Sequence, residues 1–158
     1  MRSSAQLAVI FLLAVGLTGC GSGFPADPDG TLDRVTGGNL RVGISANGEW
    51  TRVTDDGGPS GTEVELVESF ADTIDADIAW VVGGEEGLFT RLEDGDLDLV
   101  IGGITDETPW VDRAAITKPY IEVSTSAGPE RHVMAAAMGE NAFLVELERF
   151  LLDADGTA

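Results

Sequence analysis

Residues 102–110 read Gly102-Gly103-Ile104-Thr105-Asp106-Glu107-Thr108-Pro109-Trp110 and follow directly on the apolar run at 97–101. The two glycines remove side chains where the backbone must turn or meet something closely. The residues after them add hydroxyls, carboxylates and an indole, a set suited to holding a small polar molecule. A tight turn carrying solvated acids fits the same residues. Two further loops have related chemistry: Ser45-Ala46-Asn47-Gly48-Glu49-Trp50 and Gly83-Gly84-Glu85-Glu86 supply amide donors, carboxylates and a second indole.

No catalytic set accompanies them. Ser45, Ser124 and Ser126 have no base placed beside them, and the glycine-rich turns lack the Gly-Lys-Ser/Thr continuation that cradles phosphate. His132 is the single histidine. With no second histidine or free cysteine to share a metal, it reads as a solvated or edge residue. Glu85-Glu86 and Asp106-Glu107 are paired acids of the kind that serve acid–base chemistry or hold a hard cation. Acids in a helix first turn are also favoured by the dipole alone. Trp50 and Trp110 either cover core or stack on a ligand. The expectation is a binding site with no catalytic residue, metal or cofactor.

The elements that must position these loops follow from periodicity. Residues 40–45 alternate as a first strand, and 47–60 is turn-rich. Thr62 and Glu65 match a capping box ahead of a helix whose apolar stripe is Val64, Val67, Phe70, Ala71 and Ile74. Residues 77–82 form a second strand, apolar enough for burial on both faces. A second helix places Leu88, Phe89 and Leu92 inward and stops at Gly95. The strand at 97–101 closes a strand-helix-strand-helix-strand series, which predicts parallel pairing in the order 2-1-3. The fold class is therefore α/β, a three-layer sandwich with a mostly parallel central sheet. Residues 114–123 are extended, with Pro119 arguing for an edge. Residues 132–137 return toward the sheet, and a final helix after Asn141 carries Phe143, Leu144, Leu147, Phe150 and Leu151. In open parallel sheets ligands bind beyond the carboxyl ends of the strands, where the order reverses, so Trp50, Glu85 and Thr105 should share one rim.

Acids outnumber bases 28 to 9 over 158 residues, a net charge of −19. Such a surface repels nucleic acid and anionic headgroups and favours cations. At the N-terminus, Arg2 precedes an apolar run at 7–15 that is short for a membrane span and reads as a secretory signal. Leu17-Thr18-Gly19-Cys20 resembles the lipobox of bacterial lipoproteins, which implies acylation of Cys20, the only cysteine. The expected organisation is a signal peptide at 1–19, a flexible tether at 20–39 in which residues 31–36 form a short helical turn broken by Gly37-Gly38-Asn39, a single lobe at 40–153 and a tail at 154–158. The corresponding location is the cell envelope, lipid-anchored on the extracytoplasmic side.

Taken in order, Leu40-Arg41-Val42-Gly43-Ile44-Ser45, Gly61 followed by Val64-Glu65-Leu66, the run from Leu92 through Gly95, Gly103 and Thr105, and Thr117-Lys118-Pro119-Tyr120 resemble the first lobe of bacterial family 3 extracellular solute-binding proteins. That resemblance implies one lobe of a periplasmic-binding-protein-like fold, a small polar solute and an ABC transporter permease as partner. It carries Gly103 and Thr105 over as ligand contacts. The family's carboxylate-gripping arginine falls on Trp110, with Arg113 the nearest base. The family's acidic position after the first strand falls on Ser45, and its ligand-sandwiching aromatic near Glu85. Only residues 122–131 stand where the second lobe is inserted, and the acids around the cleft disfavour an anion. The implied ligand is small and polar or cationic, bound at Ser45, Trp50, Glu85, Gly103, Thr105, Trp110 and Arg113. The competing expectation is a non-transport lipoprotein that docks another membrane or envelope protein through an apolar patch at Trp50, Trp110 and Tyr120. The family's lobe also occurs fused to peptidoglycan-cleaving domains, and the expectation is that the residues after Ala137 do not form one.

Overall fold

A computed structural model describes residues 25–54 and 58–155. The expected signal peptide and Cys20 lie outside the described residues. Strand β1 (Asn39–Ile44) sits between β4 (Asp77–Val82) and β5 (Leu99–Ile101), parallel to both, so the expected 2-1-3 nucleus is present. The sheet continues through β9 (Ala135–Ala136), antiparallel to β5, and ends at β6 (Ala115–Ile116), giving the order β4-β1-β5-β9-β6. Two hairpins stand outside it: β2 (Arg52–Thr54) with β3 (Gly58–Ser60), and β7 (Ile121–Thr125) with β8 (Gly128–His132). The first hairpin occupies part of the stretch read as loop.

Period-two alternation divides β5 between the two cores. Leu99 and Ile101 face one way with Leu40, Val42 and Ile44, against helices α2 (Thr62–Thr73) and α4 (Asn141–Asp155). Val100 faces the other way, against Leu88, Phe89 and Leu92 of helix α3 (Glu85–Glu93). The result is three layers, with Gly95 (φ +77°) ending α3 as expected. Asp98 at the head of β5 is buried yet paired. Its carboxylate accepts from Arg41 (2.6 and 3.1 Å) and from Arg34 (2.5 Å). Burial pushes that carboxyl up, but the bonds from Arg41 and Arg34 outweigh it and hold the group below its ordinary range.

Three expectations need correction. Gly61, not Thr62, is the N-cap of α2, and no side-chain capping bond forms. A β-carbon at Gly61 would lie 2.4 Å from the Trp50 carbonyl oxygen, so the passing loop admits only glycine there and pushes Thr62 into the first turn. Strand β4 is the sheet edge and is half-buried, because it lacks a neighbour on one side; Val82 is 57% exposed. The described part of the expected tether is docked rather than flexible. Helix α1 (Thr31–Val35) buries Thr31 and Val35, and Glu140 accepts from the amides of Asp29 and Thr31 at 3.1 Å each. Leu32 and Val35 supply the apolar contact that a solvated tether lacks. No helix among the described residues is long and apolar enough to cross a membrane.

Candidate functional site

The rim at the carboxyl ends of β1, β4 and β5 is built around the turn at Gly102 and Gly103. Gly103 adopts φ +64°, and a β-carbon there would lie 2.5 Å from Asn47 Nδ2 and 3.0 Å from Trp50 Cδ1. Glycine is required on both counts. The turn is held from below by Glu63, which is fully buried in the first turn of α2. One carboxylate oxygen accepts from the amides of both Gly102 and Gly103 at 2.8 Å, and the other accepts from the Tyr120 hydroxyl at 2.6 Å. Burial pushes the Glu63 carboxyl up, and the bonds from Tyr120, Gly103 and Gly102 offset only part of that. Burial together with the neighbouring Glu63 charge pushes the Tyr120 phenol well up, so it remains a donor.

Above the turn, Asn47 Nδ2 donates to the Gly102 carbonyl at 2.9 Å. Asn47, Glu85, Gly102, Gly103, Ile104, Thr105, Glu107, Thr108 and Pro109 line one open cavity of about 220 Å³. Three of the expected site residues, Glu85, Gly103 and Thr105, therefore meet. Ser45 lies beneath the turn, where its Cβ would sit 3.0 Å from one added at Gly102. Trp50 packs against Gly103 and stacks on His132 with ring centroids 3.8 Å apart. Trp110 donates from Nε1 to Glu85 and stacks on Phe89 at 4.9 Å, covering the lower core while fixing one wall carboxylate. Arg113 does not line the cavity. It pairs with Glu93 at 2.7 Å and lies over the Trp110 ring at 5.3 Å. Among the described residues, no group of acids, histidines or cysteines is arranged to hold a metal.

His132 differs from expectation. It is 2% exposed, pairs with Thr105 in an isolated antiparallel bridge, and its Nδ1 is buried without a protein partner. It ends β8 facing inward, and alternation along β8 buries it while leaving Arg131 outside. Burial lowers its basicity more than Glu130 restores it, which favours the neutral ring.

Glu63 escaped the sequence reading of the site altogether; Asn47 entered it only as part of a donor-bearing loop, Tyr120 only as part of a docking patch, and His132 was set aside as a solvated or edge residue. Glu63 had a legible signal: it precedes Val67 by four and Phe70 by seven, on the buried stripe, where an acid needs partners.

The sequence profile of the bacterial extracellular solute-binding proteins, family 3, matches residues 40–135. This chain belongs to that family. The match takes in β1, the Glu63 position, the Gly102-Gly103 turn and the β7–β8 hairpin of this family 3 protein. Membrane-bound lytic murein transglycosylase F 1 of Alkalilimnicola ehrlichii is 32% identical over 100 residues. These are 62% of this chain and 20% of the transglycosylase, so the chain spans about a fifth of that relative. Among solved structures, an arginine-bound point mutant of domain 1 from TmArgBP, the arginine-binding protein of T. maritima, superposes with a TM-score of 0.71 at 22% identity. The superposition covers 79% of this chain and 98% of that one. An ancestral cationic amino acid solute-binding protein superposes with a TM-score of 0.68 at 16% identity, over 80% and 95% of the two chains. These likenesses establish that the fold is one lobe of the arginine-binding-protein type.

Proposed function

We propose that this family 3 lobe is an extracytoplasmic solute-binding component, anchored through acylated Cys20, that binds a small cationic or zwitterionic solute and works with an ABC transporter permease. The observation that carries the reading is the cavity itself. Glu85 and Glu107 lie in its wall, and no basic side chain does among the described residues. An ammonium or guanidinium group gains charge-assisted bonds there, whereas a carboxylate meets like charge. Thr105 and the Gly102 carbonyl supply the orienting groups. That an isolated domain 1 was solved with arginine bound supports ligand capture by a single lobe, without a second wall.

The docking alternative draws on an exposed apolar patch at Trp50, Trp110 and Tyr120. Tyr120 is 5% exposed and both indoles are stacked on other rings, which weakens it. The test is calorimetric titration of residues 25–158 with L-arginine, L-lysine and agmatine, in parallel with glutarate. Saturable binding of the cations, with glutarate inert, is expected. Heats indistinguishable from dilution for all of them would sink the solute-binding reading. Mass spectrometry of the membrane-extracted protein should find Cys20 as an acylated N-terminal residue.

A further inference from the structure

Glu63 touches nothing in the cavity, yet its position decides what the cavity offers. A trans peptide holds its N–H and C=O on opposite sides of one plane. The Gly103 amide donates downward to Glu63 at 2.8 Å, so the carbonyl of the same plane, that of Gly102, points upward. It meets Asn47 at 2.9 Å at the cavity wall. The Gly102 amide is held by the same carboxylate oxygen at 2.8 Å. The turn therefore directs toward the cavity a carbonyl with one lone pair taken by Asn47 and one left over, and turns its two donors away.

We infer that Glu63 is a specificity-determining positioning residue: by holding both glycine amides beneath the turn, it keeps the Gly102 carbonyl facing the cavity and so selects hydrogen-bond donors, ammonium or guanidinium, over carboxylates. This rests on the proposed solute-binding reading and specifies which part of a solute the turn meets.

The restraint is needed because glycine at both positions leaves the plane free to rotate. Gly103 at φ +64° occupies one of several regions open to it. With the plane reversed, the Gly103 N–H would face the cavity and the turn would resemble the amide nests that bind anions. The carboxylate suits this task. It presents acceptors only, and three donors meet it: two amides and the Tyr120 hydroxyl. Tyr120 stands where the chain enters the β7–β8 hairpin, so the same carboxylate also ties that hairpin to the turn. Glutamine retains an oxygen for the two amides and an N–H₂ group to offer the tyrosine oxygen. Alanine retains neither.

The experiment compares the wild type, Glu63→Gln and Glu63→Ala by agmatine and glutarate titration, alongside amide exchange at Gly102 and Gly103 measured by NMR without ligand. Expected are slow exchange at both glycines in the wild type and Glu63→Gln, and fast exchange in Glu63→Ala. Agmatine should bind Glu63→Ala at least about tenfold more weakly, one such hydrogen bond corresponding to a factor of that order, while glutarate binding appears or strengthens. Glu63→Gln should keep the wild-type preference. Equal loss of both ligands in Glu63→Ala, or a Gly103 amide in the wild type that exchanges as fast as an exposed one, would overturn the inference. Should Glu63→Ala not fold, the wild-type exchange rates and the Glu63→Gln preference decide the matter. Should the wild type bind neither ligand, the proposed function fails, while slow wild-type exchange would still uphold the hold on the turn.

Discussion

A buried carboxylate with no cationic partner is costly, and Glu63 is tolerated because three donors converge on it. The balance has a measurable pH signature. In the unfolded chain Glu63 ionises in the ordinary carboxylate range, and in the folded chain only at higher pH, since burial outweighs its hydrogen bonds. Between those two values the native state holds a proton that the unfolded state has lost, so stability falls as pH rises through that window. Glu63→Gln has no such proton. Urea unfolding across this range should therefore show wild-type stability declining relative to Glu63→Gln, with the two converging at acid pH. A difference independent of pH would mean that Glu63 ionises normally. Such a residue is hard to read from sequence because its neighbours in space, Gly102, Gly103 and Tyr120, lie 39 to 57 positions away. What sequence does reveal is its place on an apolar stripe, and that alone forecasts a buried acid without naming its partners. Trp50 shows the same limit: its type suggested a ligand face or a core cover, and the stacked imidazole of His132 comes from a distant hairpin.

Elements were legible wherever one period ran long enough. The β1, β4 and β5 runs and the stripes of α2 and α4 each carry their own signal, and short links between them dictate the parallel order. The two-residue strands β6 and β9 carry no such signal. They are strands only because β5 and each other offer hydrogen-bond partners. Helix α1 is the more instructive case. Its five residues are too few for a stable isolated helix, and the prolines and glycines before it suggested a tether. Tertiary contacts supply what local sequence does not: Glu140 accepts two amides at its start, Asp27 accepts the Leu32 amide at 2.9 Å, and Val35 is fully buried. Glu140→Ala leaves those amides to be satisfied by water and should destabilise the protein by about 1–3 kcal/mol, with Glu140→Gln recovering part of the loss. Hydrogen exchange should accelerate at residues 31–36 well before the sheet is affected. If the variant matches the wild type in both measurements, residues 25–38 are a tether after all.

At the scale of the whole molecule, charge dominates. Nine bases cannot neutralise 28 acids, and six of those bases, Arg34, Arg41, Arg113, Lys118, Arg131 and Arg149, already sit in ion pairs. Self-repulsion among the remaining acids opposes the compact state, and it acts over distances that salt screens, with a Debye length of about 10 Å at 0.1 M. Most of the ion pairs are partly exposed and contribute little that salt could remove, while Asp98 is shielded by burial. Added sodium chloride should therefore raise the thermal midpoint, and most steeply at low ionic strength. Cation binding at the cavity, as proposed, should respond in the opposite sense. The attraction for a cation proposed for it would come from Glu85, Glu107 and the surrounding acidic field, all weakened by the same screening. Agmatine affinity should fall as salt rises over the range in which stability climbs. The opposed slopes separate two roles for the acidity. If both quantities rise with salt, solvation of the fold in a saline exterior explains the composition and the cavity acids are incidental. If both fall, the exposed ion pairs carry more of the stability than their geometry implies. Opposite slopes are the outcome expected of a lobe whose acidic surface burdens the fold and serves the site.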